Sequence, residues 1–515
     1  MKRFINCAAK IIFSRTLIII LMVLIQILVL LGYFLWFGNH MHYLWEGMSL
    51  LGAILIIYII NKDEPTEFKL TWIILICLFP VLGALFYVFV VGNIGGIGLR
   101  EKLDACMKDS KELIATSKET REALKTCSAD FKGFAHYMEH TAGYPVYHNS
   151  TAVYYPIGED KFEDLLTELK RAKRYIFLEY FIVERGKMWN AILEILKEKA
   201  KAGVEVRVMY DGMCSILLLP YRYPRELKEY GIKAKVFAPI MPFLSTNQNN
   251  RDHRKIAVID GKVAFTGGLN LADEYINEKV VYGHWKDIAV KITGDAVQSF
   301  VLMFLQMWNV SGNTKESYEK YLQDITYEEP LYHDGFVIPY GETPTRKAEV
   351  AKTVYKSMID NATSYVHIMT PYFIVEREFL DSMRYAAERG VEVAMILPHI
   401  PDKKIIYNIA RTFYPTLLKA GIEVYEYTPG FIHAKAFISD DKDAVVGTVN
   451  LDYRSFYHHF ECGACFYDNK VVGKIEEDFQ KTLLQCQKVT TDYYKKISIL
   501  QKLSGRFFRL FAPLL

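Results

Sequence analysis

One structural unit occurs twice in this chain, and the repetition limits what the chain can fold into. Residues 180–185, with the sequence YFIVER, recur letter for letter at 372–377, and the GVEV of 203–206 recurs at 390–393. The order of these segments is the same in both copies, while the loops between them differ in length. Because a repeat of this kind reflects one supersecondary unit per copy, we predict two halves with the same fold.

Within each copy, helical and strand patterns alternate. In the first copy the periodicity predicts helices at 162–171 and 190–202 and strands at 175–183, 204–210 and 233–237, followed by a hairpin. Alternation of this kind favours an α/β fold whose sheet is parallel at its centre. Each copy carries only one of two matching polar motifs, so we expect the halves to pack with both motifs at their seam.

A short polar pattern closes each copy: a His, a Lys two positions later, an Asp five positions beyond the Lys, then a small residue and an Asn. The matching pairs are His253 and His433, Lys255 and Lys435, Asp260 and Asp440, Gly268 and Thr448, and Asn270 and Asn450. Two imidazoles and two ammonium groups suit a displacement at a phosphate, in which one imidazole attacks and the other handles protons. The small residues and the Asn amides are predicted to line the phosphate pocket. The Asp at each hairpin turn is also expected for turn reasons alone, so a catalytic and a structural role both stay open.

The first hairpin predicts how its side chains point. With a two-residue turn that starts at Asp260, Lys255 faces Thr266 and His253 faces Gly268. Residues two apart on a strand share a face, so His253 and Lys255 point into one pocket with a small residue opposite the His. The second hairpin predicts the same arrangement.

Glu179 interrupts an apolar strand next to the repeated hexapeptide, where the second copy has Pro371. A charged residue in such a strand is costly unless it is used, so Glu179 either contacts the substrate or makes an ion pair. The segment 284–287 precedes another predicted strand and is open between a site and a turn. No metal site and no cofactor are predicted, because Lys is a poor metal ligand and no carboxylate or third His is spaced to complete a coordination shell.

The first hundred residues are strongly apolar. Residues 17–37 carry no charge and are long enough to span a bilayer, 44–60 are shorter, and 70–91 again reach spanning length. These segments predict two or three transmembrane helices. Basic residues before the first span favour a cytoplasmic amino terminus. Basic residues after the last span, and eight cysteines without a disulfide framework, favour a cytoplasmic catalytic region.

We therefore divide the chain into five regions: a membrane region at 1–99, a charged helical stalk at 100–144, a first half at 145–330, a second half at 331–490 and a basic amphipathic helix at 491–515. From Lys495 onward the last region has five Lys or Arg residues, no acid, and apolar residues at helical spacing. That pattern is typical of a helix lying on anionic lipid, with core packing of the same stripe as the alternative. A net charge of only +3 predicts no nucleic acid partner.

The paired H-x-K-x4-D motifs, followed by G-G-x-N in one copy and G-T-x-N in the other, resemble those of the phospholipase D superfamily over roughly 145–490. Within it the chain most resembles bacterial cardiolipin synthases, on KLTW at 69–72, FPVLG at 79–83, NLDYRS at 450–455 and the closing residues 506–515. The resemblance implies an α/β fold of two similar phospholipase D-like α/β/α halves packed around a shared active site and preceded by transmembrane helices. It also implies a multi-pass protein of the bacterial cell membrane.

The resemblance further implies a reaction. One phosphatidylglycerol would pass its phosphatidyl group to another through a phosphohistidine, giving cardiolipin and glycerol, with the bilayer and its anionic phospholipids as partners. His253 would be the nucleophile and His433 the acid and base. Asp440 and Asp441, at the second hairpin tip, would raise the pKa of His433 and so favour its role as the acid. Hydrolysis of the lipid, transfer to another alcohol, nuclease activity and a non-enzymatic lipid-binding scaffold are the alternatives.

Overall fold

The computed structural model describes most of the chain. The described residues are 24, 28, 31, 32, 42–91, 96–214, 218–220, 222–239, 249–312, 316–323, 325–327, 334–344 and 348–514. The predicted first membrane span, at 17–37, therefore lies almost entirely outside the described residues.

The first half is built around one mixed sheet. Its strands in chain order are β1 Ser150–Tyr155, β2 Tyr175–Tyr180, β3 Glu205–Asp211, β4 Lys233–Phe237, β5 Arg251–Asp252, β6 Lys255–Ile259, β7 Val263–Gly267, β8 His284–Lys286 and β9 Ala289–Gly294. Seven of them form the sheet, in the order β1-β9-β7-β6-β2-β3-β4. Only β2, β3 and β4 run parallel to one another, so the sheet is parallel on one side rather than at its centre as predicted.

The second half repeats this sheet. Its strands are β10 Phe336–Glu342, β11 Tyr365–Met369, β12 Phe373–Ile374, β13 Glu392–Pro398, β14 Glu423–Tyr427, β15 Gly430–Ile432, β16 Ala436–Ser439, β17 Asp443–Gly447, β18 Leu451–Asp452, β19 His459–Tyr467 and β20 Cys486–Lys488. The order is β10-β19-β17-β16-β11-β13-β14, extended at one edge by β20. Each strand before β20 takes the place of its counterpart in the first sheet, which confirms the predicted α/β fold of two similar halves.

Helices cover both faces of the sheets. In chain order they are α1 His42–Asn61, α2 Thr66–Leu78, α3 Pro80–Val91, α4 Gly96–Ser110, α5 Lys118–Leu124, α6 Ala129–Tyr137, α7 Gly158–Arg171, α8 Lys187–Lys201, α9 Tyr223–Glu229, α10 Val297–Val310, α11 Glu319–Leu322, α12 Val350–Asn361, α13 Arg377–Glu388, α14 Lys404–Arg411, α15 Tyr414–Lys419, α16 Tyr453–Tyr457, α17 Lys470–Leu483, α18 Thr491–Lys496 and α19 Ile499–Arg509. α7 and α8 pack on one face of the first sheet.

α10 is the helix that joins the two halves. It is mostly apolar and almost entirely buried, as expected for a helix in the middle of a core. The ring of Phe304 stacks on Phe177 of β2 at 4.5 Å, and the same core cluster continues to Val337 and Tyr340 of β10. The inner face of the first sheet and the second half therefore share one hydrophobic core.

The two catalytic-motif hairpins differ from the prediction by one residue in register. Ile259 pairs with Val263, so three residues rather than two separate the strands, and the second hairpin has the same spacing. Asp260 begins the turn in the left-handed conformation, with φ of 55°. Because a one-residue shift changes every pairing along a hairpin, the predicted pairing of Lys255 with Thr266 is wrong.

The seam between the halves is made by two short strands that cross over. β5, which directly precedes His253, pairs with β19 of the second half, and β15, which directly precedes His433, pairs with β8 of the first half. Each catalytic-motif strand is therefore pinned at its start to the opposite half. This exchange brings both motifs to the seam, as the sequence predicts.

The amino-terminal helices α1, α2 and α3 share a small apolar cluster of their own. Phe68 of α2 packs against the rings of Tyr453 and Tyr457 in the second half, at 5.6 and 5.3 Å. Among the helices of the described ranges, none combines the length and the apolarity needed to cross a bilayer. The prediction of two or three transmembrane helices is therefore not confirmed.

The predicted stalk and the carboxyl-terminal helix both pack against the catalytic halves. Within 100–144, Leu103 of α4 is buried in the shared core, and Phe131 of α6 stacks on Tyr467 at 3.6 Å. α19 packs on α14, where the guanidinium of Arg509 lies 3.9 Å from the centre of the Phe413 ring. The stalk segment is therefore part of the packed protein.

Candidate active site

His253 lies at the seam, directly after β5. Its backbone N–H donates to the Phe460 carbonyl at 2.9 Å, and its Nδ1 lies 2.8 and 2.9 Å from the two carboxylate oxygens of Glu461. Both partners belong to β19 of the second half. Burial lowers the pKa of His253 well below its usual range, against the opposing charge of Glu461. A neutral imidazole with its proton on Nδ1 therefore leaves Nε2 to react with a substrate.

His433 repeats this arrangement from the other side of the seam. Its N–H donates to the Lys286 carbonyl at 2.7 Å, and its Nδ1 lies 2.7 Å from Oδ2 of Asp287. Burial lowers the pKa of His433, and the charge of Lys435 adds to the effect. Lys286 and Asp287 belong to the first half, so each His is oriented by a carboxylate of the opposite half. Neither half contains a complete site.

The two motif lysines are buried beside the histidines. Lys255 Nζ donates to the His253 carbonyl at 2.7 Å, and Lys435 Nζ donates to the His433 carbonyl. Burial lowers the pKa of Lys255 to about 8 and that of Lys435 to about 7. An anionic phosphate next to these amines would favour their charged forms, so the lysines suit an anion at the seam.

Glu461 is held ionised in the interior. Thr448 Oγ1 donates to one of its carboxylate oxygens, and Ser455 Oγ donates to the other at 2.7 Å. Burial acts to raise the pKa of Glu461, but its pairing with the His253 imidazole outweighs burial and holds that pKa below its usual range. Glu461, the carboxylate that faces His253, is therefore ionised.

Asp287 is the less acidic of the two carboxylates that face the histidines. Burial raises its pKa to about 7, against the charge of Lys435. Its Oδ1 accepts the Ile288 N–H at 2.9 Å. Gly268 gives Asp287 its space, because a Cβ at that position would lie 2.0 Å from Oδ1. Asp287, which faces His433, is therefore less completely ionised than Glu461, which faces His253.

These contacts correct the predicted role of two small residues. Gly268 and Thr448 were expected to line the phosphate pocket, yet Gly268 packs against Asp287 and Thr448 donates to Glu461. The two positions match in sequence and each serves a carboxylate. Gly268 and Thr448 therefore act on the substrate only indirectly, through the carboxylates that orient His433 and His253.

The two motif asparagines are also buried at the seam. Asn270 accepts the Ile182 N–H through Oδ1 at 3.0 Å and donates through Nδ2 to the Tyr275 hydroxyl at 2.6 Å. The Tyr275 ring lies 5.6 Å from the His433 ring. Oδ1 of Asn450 is buried with no hydrogen-bond partner among the residues that the structure describes. Asn270 thus fixes Tyr275 next to His433, and a phosphate contact of either amide stays a prediction.

The motif aspartates lie at the far end of the hairpins. Asp260 accepts three backbone N–H groups of 173–175, at 2.7, 2.7 and 2.9 Å. Asp440 accepts the same three donors one repeat later, at 363–365. Of the two roles that the sequence leaves open for these aspartates, the catalytic one is wrong and the structural one is correct. Both carboxylates hydrogen-bond a hairpin turn to the start of a neighbouring strand. The expectation that Asp440 raises the pKa of His433 is also wrong, because burial lowers that pKa.

Glu179 lies on the other face of the first sheet. It pairs in register with Ile256 and therefore points away from the face that carries Lys255. Its carboxylate is buried 3.9 Å from the Arg254 guanidinium. Burial and the neighbouring Asp252 raise the pKa of Glu179. Of the two predicted roles, the ion pair is correct and the substrate contact is wrong.

Glu461 is a site residue that lies outside both sequence motifs. It lies 174 residues after Asp287, close to the 180 that separate His253 from His433. Alignment of the strands that follow the hairpins would have placed a carboxylate at the same position in both copies. The missing information was that each carboxylate serves the histidine of the opposite half.

A third imidazole lies beside His253. The ring of His459 is 5.3 Å from that of His253, its Nδ1 is 3.5 Å from Glu461, and within the described part of the chain neither ring nitrogen has a hydrogen-bond partner. Trp285 takes the matching place beside His433, at 5.5 Å. His253, His459 and Glu461 offer ligand atoms within 4.8 Å of one another, a spacing that could hold a metal ion. The argument that no carboxylate or third His could complete a shell is therefore wrong.

Comparison with known proteins agrees with this geometry. A family model described as the cardiolipin synthase, PLD-like domain matches residues 165–308 and 355–483. A second, described as the phospholipase D-nuclease N-terminal region, matches 50–91. A solved structure of phosphatidylserine synthase from Haemophilus influenzae covers 71% of this chain and 95% of its own, with a TM-score of 0.55 and 15% identity. That likeness shows a common fold.

Sequence relatives cover between 70 and 91% of this chain. An uncharacterized protein of Streptococcus mutans is 45% identical over 90% of this chain and 100% of its own. A cardiolipin synthase of Alkalihalophilus pseudofirmus is 34% identical over 91% of this chain and 92% of its own, and a cardiolipin synthase 2 of Bacillus cereus is 38% identical over 70% and 69%. With the family model matching more than half of its length, the chain belongs to the cardiolipin synthase family of phospholipase D-like proteins.

Proposed function

We propose that this chain synthesises cardiolipin by transferring the phosphatidyl group of one phosphatidylglycerol to a second one, with release of glycerol. The observation that carries the proposal is the pair of buried imidazoles, each bound through Nδ1 to a carboxylate of the opposite half. This pairing leaves both Nε2 atoms for one phosphate. The names of the relatives, cardiolipin synthases at 34 and 38% identity, support the choice of lipid.

In the first step Nε2 of His253 attacks the phosphorus of the donor lipid. A phosphorus–nitrogen bond forms, and the bond from phosphorus to the glycerol headgroup oxygen breaks. The charge of the bound phosphate favours the protonated form of His433, against the burial that lowers its pKa in the free site. His433 then passes the proton on its Nε2 to that oxygen, so glycerol leaves as a neutral alcohol. Lys255 and Lys435 offset the negative charge that develops on the non-bridging oxygens.

The two carboxylates support the assignment of His253 as the nucleophile. A phosphorylated imidazole that keeps its Nδ1 proton is a cation, and a firmly ionised Glu461 is the countercharge that stabilises it. Asp287, whose pKa burial raises to about 7, stabilises a cationic imidazole less. That weaker support suits His433, because an acid must give up its proton in the same step.

In the second step the hydroxyl of the acceptor lipid gives its proton to Nε2 of His433, which now acts as a base. The hydroxyl oxygen bonds to phosphorus, the phosphorus–nitrogen bond breaks, and cardiolipin is released. Water in place of the lipid would give phosphatidic acid. His253 and His433 are each only 7% exposed, and restricted access of water favours transfer over hydrolysis.

The proposal places this chemistry at the bacterial cell membrane, with the catalytic halves on the cytoplasmic side. The apolar region 1–99 would anchor the chain, and 491–515 would lie on the bilayer surface. α19 supports the second contact, because Leu500 is 75% exposed and Phe507 is 57% exposed while Lys502 and Arg506 lie on the same helix. Basic residues among exposed apolar ones favour an anionic lipid surface.

Purified enzyme added to phosphatidylglycerol vesicles in the presence of a chelator is expected to form cardiolipin and glycerol in equal amounts. The reason is that His253 and His433 supply both the nucleophile and the proton transfers. Lipid mass spectrometry and a glycerol assay measure the two products. Phosphatidic acid as the main lipid product, or activity that returns only when a divalent ion is added back, would contradict the proposal.

Gly268→Ala is expected to lower turnover by roughly tenfold to a hundredfold, the usual effect of losing a group that orients a reactive side chain. The added Cβ would lie 2.0 Å from Asp287 Oδ1, so the carboxylate must move away from His433. Gly473→Ala is the matched control, because a Cβ there meets no atom within 4 Å. Initial rates and thermal melting curves measure the effect, and a Gly268→Ala rate equal to that of the control contradicts this role of Asp287.

A further inference from the structure

His459 is a buried histidine that the two chemical steps described above do not use. It begins β19, is more than nine-tenths buried, and has no hydrogen-bond partner on either ring nitrogen within the described part of the chain. A buried polar group without a partner costs stability unless something binds it. Its Nδ1 lies 3.5 Å from a Glu461 oxygen, beyond the usual length of an N–H···O bond. The imidazole of His459 therefore has a lone pair to offer to a ligand.

Two other metal-binding groups lie close to that lone pair. His253, His459 and Glu461 each offer one ligand atom, and the three atoms lie within 4.8 Å of one another. Nδ1 of His253 is already 2.8 Å from Glu461. Nitrogen and oxygen ligands at about 2.0 to 2.2 Å from a tetrahedral zinc ion lie roughly 3.3 Å apart. Small rotations of the side chains would therefore close a shell around a metal ion.

The backbone of both halves holds these three ligands together. His459 and Glu461 are two positions apart on β19, so their side chains point to the same face. His253 directly follows β5, which pairs in parallel with β19. The carboxylate of Glu461 is itself held by the hydroxyls of Thr448 and Ser455, as ligating carboxylates usually are. The ligands are therefore oriented before any metal arrives.

The kind of ion follows from the ligands. Two imidazoles and a carboxylate, with water in the fourth position, are a set that zinc binds. Magnesium and calcium instead take oxygen ligands, whereas imidazole suits zinc and its neighbours among the transition metals. The ionised Glu461 offsets part of the metal charge, against the positive charge of Lys255, which also acts on His253. The cluster therefore suits zinc and not magnesium.

The other catalytic histidine lacks a matching site. Trp285 takes the place of His459 beside His433, at 5.5 Å, and an indole N–H has no lone pair to give to a metal. The residues that the structure describes contain no second group of three such ligands at this spacing. One zinc ion per chain, on the His253 side of the seam, is therefore expected.

We infer that His253, His459 and Glu461 bind a zinc ion that inhibits the enzyme. A neutral imidazole has a lone pair on one nitrogen and a proton on the other. Once zinc has taken that lone pair, through either nitrogen, His253 has none left to attack phosphorus. The ion also occupies the carboxylate that would stabilise the phosphohistidine. The inhibition rests on the proposed function, because it needs His253 as the nucleophile, whereas the zinc site itself does not.

Zinc chloride titrated into the purified, metal-free full-length enzyme is expected to fill one tight site per chain and to stop cardiolipin formation. Magnesium chloride at the same concentrations is expected to do neither. Calorimetry on the enzyme alone measures binding, and initial rates on phosphatidylglycerol vesicles measure inhibition. The vesicles bind some of either ion, so all variants are compared on the same vesicles.

Two variants of His459 make the test specific. His459→Phe keeps a ring without a lone pair, and His459→Gln keeps a polar side chain that binds zinc poorly. Each is expected to raise the zinc concentration that halves its own zinc-free rate by at least about tenfold, since even the loss of a group that only orients a ligand weakens metal binding that much. His140→Ala is the matched control. His140 is exposed, and its ring lies 4.1 Å from that of His136, so this variant removes a surface pair that could hold zinc and is expected to keep wild-type inhibition.

Thermal melting establishes that the variants fold, and calorimetry decides for any variant that is too slow to assay. Unchanged zinc binding in both His459 variants overturns the inference, as do equal half-inhibiting concentrations in the wild type and both variants. Inhibition by magnesium as strong as by zinc, or a rate that rises with zinc, also overturns it. Failure of the proposed function is distinguishable, because the zinc-free wild type would then form no cardiolipin, while loss of zinc binding in His459→Phe would still establish the site.

Discussion

His253→Ala and His433→Ala are each expected to lower cardiolipin formation by at least about a thousandfold, which is roughly 4 kcal/mol of transition-state stabilisation. His253→Ala removes the atom that bonds to phosphorus. His433→Ala removes the group that protonates the leaving glycerol and then deprotonates the acceptor. Neither change should unfold the protein, because each hairpin is held by strand pairing across the seam and by an aspartate at its turn.

The measurement is the initial rate on phosphatidylglycerol vesicles, with circular dichroism and thermal melting to establish that the variants fold. His136→Ala is the control, because His136 is an exposed histidine of α6 outside the site. A rate above about a thousandth of wild type in either active-site variant, with the fold intact, is incompatible with a mechanism that needs both imidazoles.

Glu461→Gln is expected to lower turnover by about a hundredfold to a thousandfold, or roughly 3 to 4 kcal/mol. Glutamine keeps the shape of the side chain but removes the negative charge that faces Nδ1 of His253 at 2.8 Å. The phosphorylated imidazole then loses its countercharge, and the amide nitrogen cannot accept a hydrogen bond from the ring or from Thr448. The loss should therefore appear in formation of the phosphohistidine.

Two further variants make this prediction specific. Thr448→Val removes one hydroxyl donor to Glu461 and keeps its charge, so a loss of only about tenfold is expected. Asp287→Asn changes the less acidic carboxylate, which faces His433, and is expected to lower the rate less than Glu461→Gln does. Single-turnover formation of the labelled enzyme is the measurement. If Glu461→Gln keeps more than a tenth of the wild-type rate, Glu461 does not stabilise the intermediate.

Most of the fold could be predicted from the sequence because the same structural unit is repeated in it. The repeated hexapeptide and the alternation of helix and strand patterns were enough for two halves of one α/β type and for a site at their seam. The hairpin register was predicted one residue off, because the prediction used a two-residue turn where Asp260 and its neighbours form a longer one. Turn length depends on the hydrogen bonds of Asp260 to 173–175, which no local pattern shows.

The histidines and lysines of the site could be predicted because each motif is local. The residues that tune them could not, since Asp287 and Glu461 act across the seam on the motif of the other half. For the same reason Gly268 and Thr448 were predicted to face a phosphate, although their neighbours are those two carboxylates. Pairings between distant segments arise only when both sheets are assembled, so the sequence does not show which histidine each carboxylate serves.

The phosphohistidine mechanism is tested most directly by trapping the covalent intermediate. Enzyme turning over a phosphatidylglycerol labelled in its phosphate is quenched in alkali, where a phosphorus–nitrogen bond survives, and the labelled peptide is identified by mass spectrometry. We expect label on the peptide that contains His253, and none on that peptide in the His253→Ala variant. Label on the peptide of His433 would contradict the assignment of the nucleophile, and the absence of any labelled histidine during turnover would contradict the covalent mechanism itself.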